Sequence, residues 1–394
     1  MSNQLPGKVI TVAGTNGKGS SVAFLEAILE AAGYRTGCYT SPHLLRYNER
    51  IRLRGEEAAD ALICEAFARV ETARCGASLT YFEFGTLAAF DIFSRSELDV
   101  LILEVGLGGR LDAVNVIDAD VALISTVDLD HSDWLGSTRE AVALEKAGIM
   151  RQGRPAVFGG VDPPDSLIQQ ADRVGARLYM AGEDYHWRRE EQQWQWRSGE
   201  HRRYGLPLPS MRGEHQLRNA AACLMVLQLL LPELPVDQQA VRTGLRTATL
   251  AGRFQVLGRD PYLILDVAHN GEAAVSLAEN LRSMFCGGRT RAVFALLADK
   301  EIERVVGPIR DLIDEWYLGG LDNPRASSVS ETASRLTGLG VAPAAISRER
   351  TVADALKRAR RESSIEDRIL VFGSFLTVAD ALNTVEKGEL TAYD

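Results

Sequence analysis

Short apolar runs alternate along this chain with longer segments whose apolar positions recur every three to four residues. "KVITVAG" leads into a stretch in which Val22, Leu25, Ile28, Leu29 and Ala32 share one face. That spacing predicts a strand followed by a helix over Ser20–Ala32, which Gly33 can end. Further strands read at "RTGCYT", "DVLILEVG", "DVALISTVD" and "RPAVFGG". Runs that are apolar throughout, spaced by helical patterns, predict a parallel sheet covered by helices. Residues 185–210 break the pattern and read as a polar hairpin region. A second series, "YLILDVAHN", "RAVFALLADK", "EWYLGG" and "RILVFGSF", begins near Tyr262, with a hinge around residues 246–258. The expectation is an α/β protein: a P-loop-type, mostly parallel sheet with flanking helices over residues 1–249, and a smaller C-terminal Rossmann-like α/β domain over residues 250–394.

At 394 residues, two cores are expected rather than one. A net charge of -9 argues against a general nucleic-acid binder but not against ATP, which a few converging cations can hold. The tryptophans and arginines of residues 187–203 are interrupted by Glu190, Glu191 and Glu200, so a solvated hairpin accounts for them better than a nucleic-acid patch. The five cysteines form no C-x-x-C pair and suit a reducing, cytoplasmic setting. The most apolar run, "AACLMVLQLLL", is far short of the roughly 20 residues that cross a bilayer, so no membrane partner is expected.

Candidate chemistry begins at "GTNGKGS", Gly14 to Ser20. A glycine-rich loop between strand and helix turns backbone N–H groups toward an anion at the positive end of the helix dipole. Lys18 adds a mobile cation. Glu104 ends an apolar strand, Ser41 closes another, and His131 follows a third in "DLDHSDWLG". All three should emerge at the carboxyl edge of the sheet, where such folds bind ligands. Hard ligands beside a triphosphate favour magnesium.

"GTNGKGS", "TSPHLLRYNERIR", "TYFEFGTLAAF", "LEVGLGGRLDAVN", "DHSDWLG", "EKAGI", "GRFQ", "DVAHN" and "VFGSF" together resemble the bifunctional dihydrofolate synthase/folylpolyglutamate synthase family of the Mur-ligase superfamily, over almost the whole chain. The resemblance implies an ATP-dependent ligase that adds L-glutamate to dihydropteroate and to tetrahydrofolate polyglutamates through an acyl phosphate. It implies two Mg²⁺ ions, one on Ser41 and Glu104 with Ser20 a further candidate, and one on His131. It also implies that Lys146 is carbamylated and helps hold the second metal; the plain alternative is a surface lysine paired with Glu145 or another neighbour. Thr15, Asn16, Gly17, Lys18, Gly19, Ser20, Asn219, Arg253 and Asp266 fall on nucleotide positions. Thr80, Phe82, Arg110, Leu111 and Asp112 fall on pteridine positions, and His269 and Ser374 lie near the amino acid. Lys18, Lys146, His269 and Ser374 are the expected catalytic groups. The second domain is expected to complete the ATP and glutamate sites, with closure excluding water. A monomer is implied.

The resemblance further implies several tens of residues ahead of the phosphate-loop strand, with a turn closing over the pterin. Here Met1 to Lys8 precede it, so either the protein begins upstream or pteridine binding is impaired. Two other readings compete: another Mur-type amino-acid ligase, whose loop would more often read G-K-T-[ST], and a P-loop switch without ligase activity.

Overall fold

The computed structural model describes residues 5–389, without the side chains of Ser132 and Asp133. The chain divides into two compact units, Met1–Ser210 with Glu214–Thr249, and Met211–Gly213 with Leu250–Asp394.

The first unit opens with β1 (Lys8–Ala13), α1 (Lys18–Ala31) and β2 (Thr36–Tyr39). Two short strands follow, β3 (Ile51–Leu53) and β4 (Glu56–Glu57), then α2 (Asp60–Ala73), α3 (Tyr81–Ser94) and β5 (Val100–Glu104). The series continues through β6 (Val121–Ile124), α4 (Ser132–Leu135), α5 (Arg139–Ala147), β7 (Pro155–Phe158), α6 (Asp165–Val174) and β8 (Arg177–Met180). These strands form one sheet in the order β4-β3-β2-β5-β1-β6-β7-β8, antiparallel only at the β4-β3-β2 edge. Its middle strands are buried on both faces, which is why they read as unbroken apolar runs.

Local chemistry sets the helix starts. Thr80 caps α3 by accepting from Glu83 N, and the Glu83 carboxylate accepts from Thr80 N, a reciprocal box that satisfies two orphan donors. Residues 186–207 form a three-stranded antiparallel meander, β9 (His186–Arg189), β10 (Gln193–Ser198) and β11 (His201–Pro207). Its inner side is not solvated. Alternation along β10 puts Trp194 and Trp196 on one face, both fully buried. Trp196 Nε1 donates to Ala221 O, in α7 (Glu214–Leu230). The polar reading fits only the outward positions. The unit closes with α8 (Gln238–Thr247), which packs on α1 where Gly244 meets Ile28. No helix among the described residues is long and apolar enough to cross a membrane.

The second unit runs β12 (Gln255–Arg259), β13 (Tyr262–Leu265), α9 (Gly271–Ser283), β14 (Thr290–Phe294), α10 (Ile302–Val306) and β15 (Glu315–Leu318). It ends with α11 (Val329–Gly338), β16 (Ile346–Arg348), α12 (Val352–Arg361), β17 (Arg368–Phe372) and α13 (Phe375–Glu386). Sheet order is β12-β13-β17-β14-β15-β16, parallel except for β12. Phe294, Trp316 and Phe372 pack edge-on and tilted against one another in its core.

Candidate active site

Four neighbouring parallel strands, β2-β5-β1-β6, end at one edge of the first sheet. Strands in a sheet lie about 4.8 Å apart, so groups at these ends fall within one small-molecule length of each other. Ser41 follows β2, Glu104 closes β5 opposite Val12, the phosphate loop follows β1, and residues 125–131 follow β6. The edge therefore collects the residues that the sequence pattern places there.

The loop is held from two sides. Thr15 N donates to Thr126 O, and Thr15 Oγ1 both donates to Asp128 O and accepts from Asp128 N. Asn16 N donates to Thr126 Oγ1, and Asn16 O accepts from Ser125 Oγ. From the other side comes α7. Gln216 Nε2 donates to Ser20 Oγ at 3.2 Å, and Asn219 donates to Gln216 Oε1. Gly17 sits at the helix N-cap with φ 84°, and a Cβ there would lie 2.7 Å from Asn219 Oδ1. Only glycine serves that position, on conformation and on space. Lys18 Nζ donates to Gly14 O and Thr15 O, which keeps the ammonium over the turn. Ser125, Thr126 and Gln216 are site residues that motif reading missed. Gln216 had a signal, since it lies three residues before Asn219 on the same helix face.

At the metal edge, Glu104 is buried and its Oε2 accepts from Ser41 N at 3.1 Å. This puts a carboxylate beside Ser41, two residues whose oxygens are hard donors suited to a divalent cation that takes its other ligands from phosphate and water. His131 has φ 52°, and its backbone N–H donates to Asp130 Oδ1, which pins the residue in an uncommon conformation. Lys146 lies in the last turn of α5 and is only 3% exposed. Glu145 pairs with Arg110 instead, Nη2 to Oε1 at 2.9 Å, so the reading of Lys146 as a surface partner of Glu145 does not hold.

The residues expected at the pteridine gather across the loop after β5. Phe82, in the first turn of α3, packs on Tyr39 with ring centroids 5.8 Å apart. Its ring also lies against Gly106, where a Cβ would come within 2.6 Å. Asp112 Oδ2 accepts from Gly106 N and Leu107 N, and Oδ1 accepts from Val114 N. Burial pushes this carboxyl up, against the pull of the three N–H donors and of the Lys18 charge. Asp112 thus organises the loop and shares its field with the phosphate-loop lysine. Leu111 is 79% exposed, and the Thr80 hydroxyl serves as the helix cap.

In the second unit, Asp266 accepts from Phe254 N and Ala268 N, both at 2.8 Å. Burial raises its carboxyl, while Arg253 and His269 act the other way. Arg253 lies over the Phe375 ring at 5.2 Å, and the His269 ring is 5.9 Å from it. Arg253, Asp266 and His269 therefore form one cluster, with Phe375 as an aromatic floor that the sequence reading did not single out. Ser374 is buried; its hydroxyl accepts from Thr377 N and caps α13.

Two family descriptions match the chain: Mur ligase middle domain over residues 12–227, and Mur ligase, glutamate ligase domain over residues 252–375. The dihydrofolate synthase/folylpolyglutamate synthase of Escherichia coli (strain K12) is 41% identical over 378 residues, covering 96% of this chain and 86% of that protein. The protein of the same name from Haemophilus influenzae is 38% identical over 396 residues, covering 96% and 89%. Among solved structures, Escherichia coli FolC in complex with DHPP and ADP matches with TM-score 0.92 at 40% identity, covering 98% of this chain and 90% of that one. A bifunctional folylpolyglutamate synthase/dihydrofolate synthase with Mn, AMPPNP and L-glutamate bound matches with TM-score 0.90 at 44% identity, covering 97% and 90%.

Proposed function

This chain belongs to the dihydrofolate synthase/folylpolyglutamate synthase family of Mur ligases, and we propose that it joins L-glutamate to dihydropteroate and to tetrahydrofolate polyglutamates at the expense of ATP. The observation that carries the reading is the sheet edge itself, where the phosphate loop after β1 adjoins the Glu104–Ser41 pair at the ends of β5 and β2.

An amide cannot form from a carboxylate and an amine in water until the carboxylate is activated. The substrate carboxylate attacks the γ-phosphate, ADP leaves, and the α-amine of glutamate displaces phosphate from the acyl phosphate. Two anions meet in the first step, so placement and charge neutralisation set the barrier. The loop N–H groups and Lys18 supply fixed positive charge on the protein side. A divalent cation on Glu104, Ser41 and Ser20 would neutralise phosphate oxygens. His131 and a carbamylated Lys146 would hold a second Mg²⁺; the burial of Lys146 supports this, because an ammonium there loses its water while a carbamate gains a cation. Arg253 and Asp266 are assigned to the nucleotide, and His269 and Ser374 to the amino acid. Phe82 and the loop that Asp112 organises form the pteridine wall, with Thr80, Arg110 and Leu111 around it.

Phosphate release from ATP tests the reading. It is expected only when a pteridine, either dihydropteroate or tetrahydrofolate, and glutamate are both present; release indifferent to both would make the protein a nucleotide switch. Asp112→Ala removes the acceptor of three backbone donors, each worth about 1–3 kcal/mol when left unsatisfied. It is expected to raise the KM for the pteridine about tenfold while leaving that for glutamate unchanged. Equal changes in both would show that the loop does not serve the pteridine.

A further inference from the structure

Three arginines lie in "RYNERIR", and two of them are paired with carboxylates. Arg46 meets Asp60, and Arg52 makes a half-buried pair with Glu26. Arg50, between them, is just 8% exposed, and among the described residues no carboxylate lies within ion-pair distance of it. Its Nε donates to His43 Nδ1 at 2.8 Å. Its guanidinium carbon stands 5.5 Å from the ring centroids of both Tyr47 and Tyr81. Glu49 is one residue away but spends its carboxylate on the N–H groups of Leu44, Leu45 and Arg46.

A buried charge is costly unless it is paired, and contacts with aromatic faces return only part of that cost. The fold nevertheless holds this guanidinium among neutral groups, Tyr39 included. A neutral histidine nitrogen holds Nε, and two tyrosine rings flank it. Both Tyr39 and Tyr47 are phenols that burial raises and Arg50 pulls down, so Arg50 stands near both. Tyr39 in turn packs on Phe82 of the pteridine wall. Arg50 O accepts from Thr40 N, next to Ser41 and its bond to Glu104. Arg50 thus lies between the pteridine wall and the metal edge, with its forked donors unclaimed by any anion among the described residues.

Resting on the ligase reading above, we propose that Arg50 binds a carboxylate of the pteridine substrate, with His43, Tyr47 and Tyr81 setting the plane of the fork. A guanidinium matches a carboxylate with two parallel hydrogen bonds, which a lysine cannot reproduce. Two carboxylates have this chemistry: the one to be activated, present in every substrate, and the non-reacting α-carboxylate of a terminal glutamyl group.

The test compares wild type with Arg50→Met and Arg50→Lys, using dihydropteroate and tetrahydrofolate, and adds equilibrium binding of a pteridine analogue that lacks the carboxylate. Arg50→Met is expected to raise the pteridine KM about tenfold to a hundredfold with the KM for ATP unchanged, and Arg50→Lys to recover part of the loss. The analogue is expected to bind wild type and Arg50→Met equally. Loss with both substrates assigns Arg50 to the reacting carboxylate; loss with tetrahydrofolate alone assigns it to the glutamyl α-carboxylate. A pteridine KM unchanged in Arg50→Met overturns the proposal, and so does an analogue weakened as much as the carboxylate substrate, which would mark a structural role. Should wild type turn over neither pteridine, the ligase reading falls, while the binding comparison still decides the role of Arg50.

Discussion

Glu104→Gln is expected to slow pteridine- and glutamate-dependent phosphate release by about a hundredfold to a thousandfold, with little change in the KM for the pteridine. The amide keeps the volume of the side chain and keeps an oxygen to accept from Ser41 N, so the packing at the end of β5 survives. What goes is the formal charge. A magnesium site with few protein ligands depends on that charge, because water and phosphate supply only the remaining positions. The rate of the variant should therefore keep climbing at Mg²⁺ concentrations where wild type has levelled off. A carboxylate that only packed would behave differently: trading a buried charge for a neutral amide is often neutral or stabilising, and turnover would not change. Phosphate-release rates across a Mg²⁺ titration, with thermal melting as the control, separate the cases. A wild-type rate with a wild-type Mg²⁺ dependence would remove Glu104 from the metal site.

The central strands and the phosphate loop were legible because their signals are local. "KVITVAG", "DVLILEVG" and "RILVFGSF" are buried on both sheet faces, so apolarity alone marks them. The short strands β3, β4 and β16, of two or three residues each, carry no period long enough to read. Residues 185–210 were misjudged for a related reason. Arginines in the strands, with Glu190, Glu191 and Glu200 in the turns between them, masked the inward alternation of Trp194 and Trp196. Lys146 looked like a surface lysine because Glu145 precedes it, yet the partner of Glu145 is 35 residues away in Arg110. Arg50 shows the same limit. Its segment was part of the motif, but only tertiary structure reveals that its neighbours Arg46 and Arg52 find carboxylates and it does not. Periodicity places backbone; it does not say which charges meet.

Lys146→Ala is expected to abolish most of the activity, by about a hundredfold or more, and added acetate or propionate is expected to restore part of it. The lysine is 3% exposed in the last turn of α5. Burial at this position disfavours a charged ammonium. Carbamylation changes the balance: the neutral amine adds CO₂ and releases a proton, which turns the group into an anion with two oxygens for a cation. A short carboxylate diffusing into the space left by alanine supplies the same charge and the same oxygen donors. Lys146→Arg fills the space with the wrong sign and should be inactive with no rescue. Wild type depleted of CO₂ should lose activity and regain it with bicarbonate, and mass spectrometry under non-denaturing conditions should find one CO₂ on the active form. If acetate fails to restore Lys146→Ala and CO₂ depletion leaves wild type unaffected, Lys146 works as a cation and the carbamate reading falls.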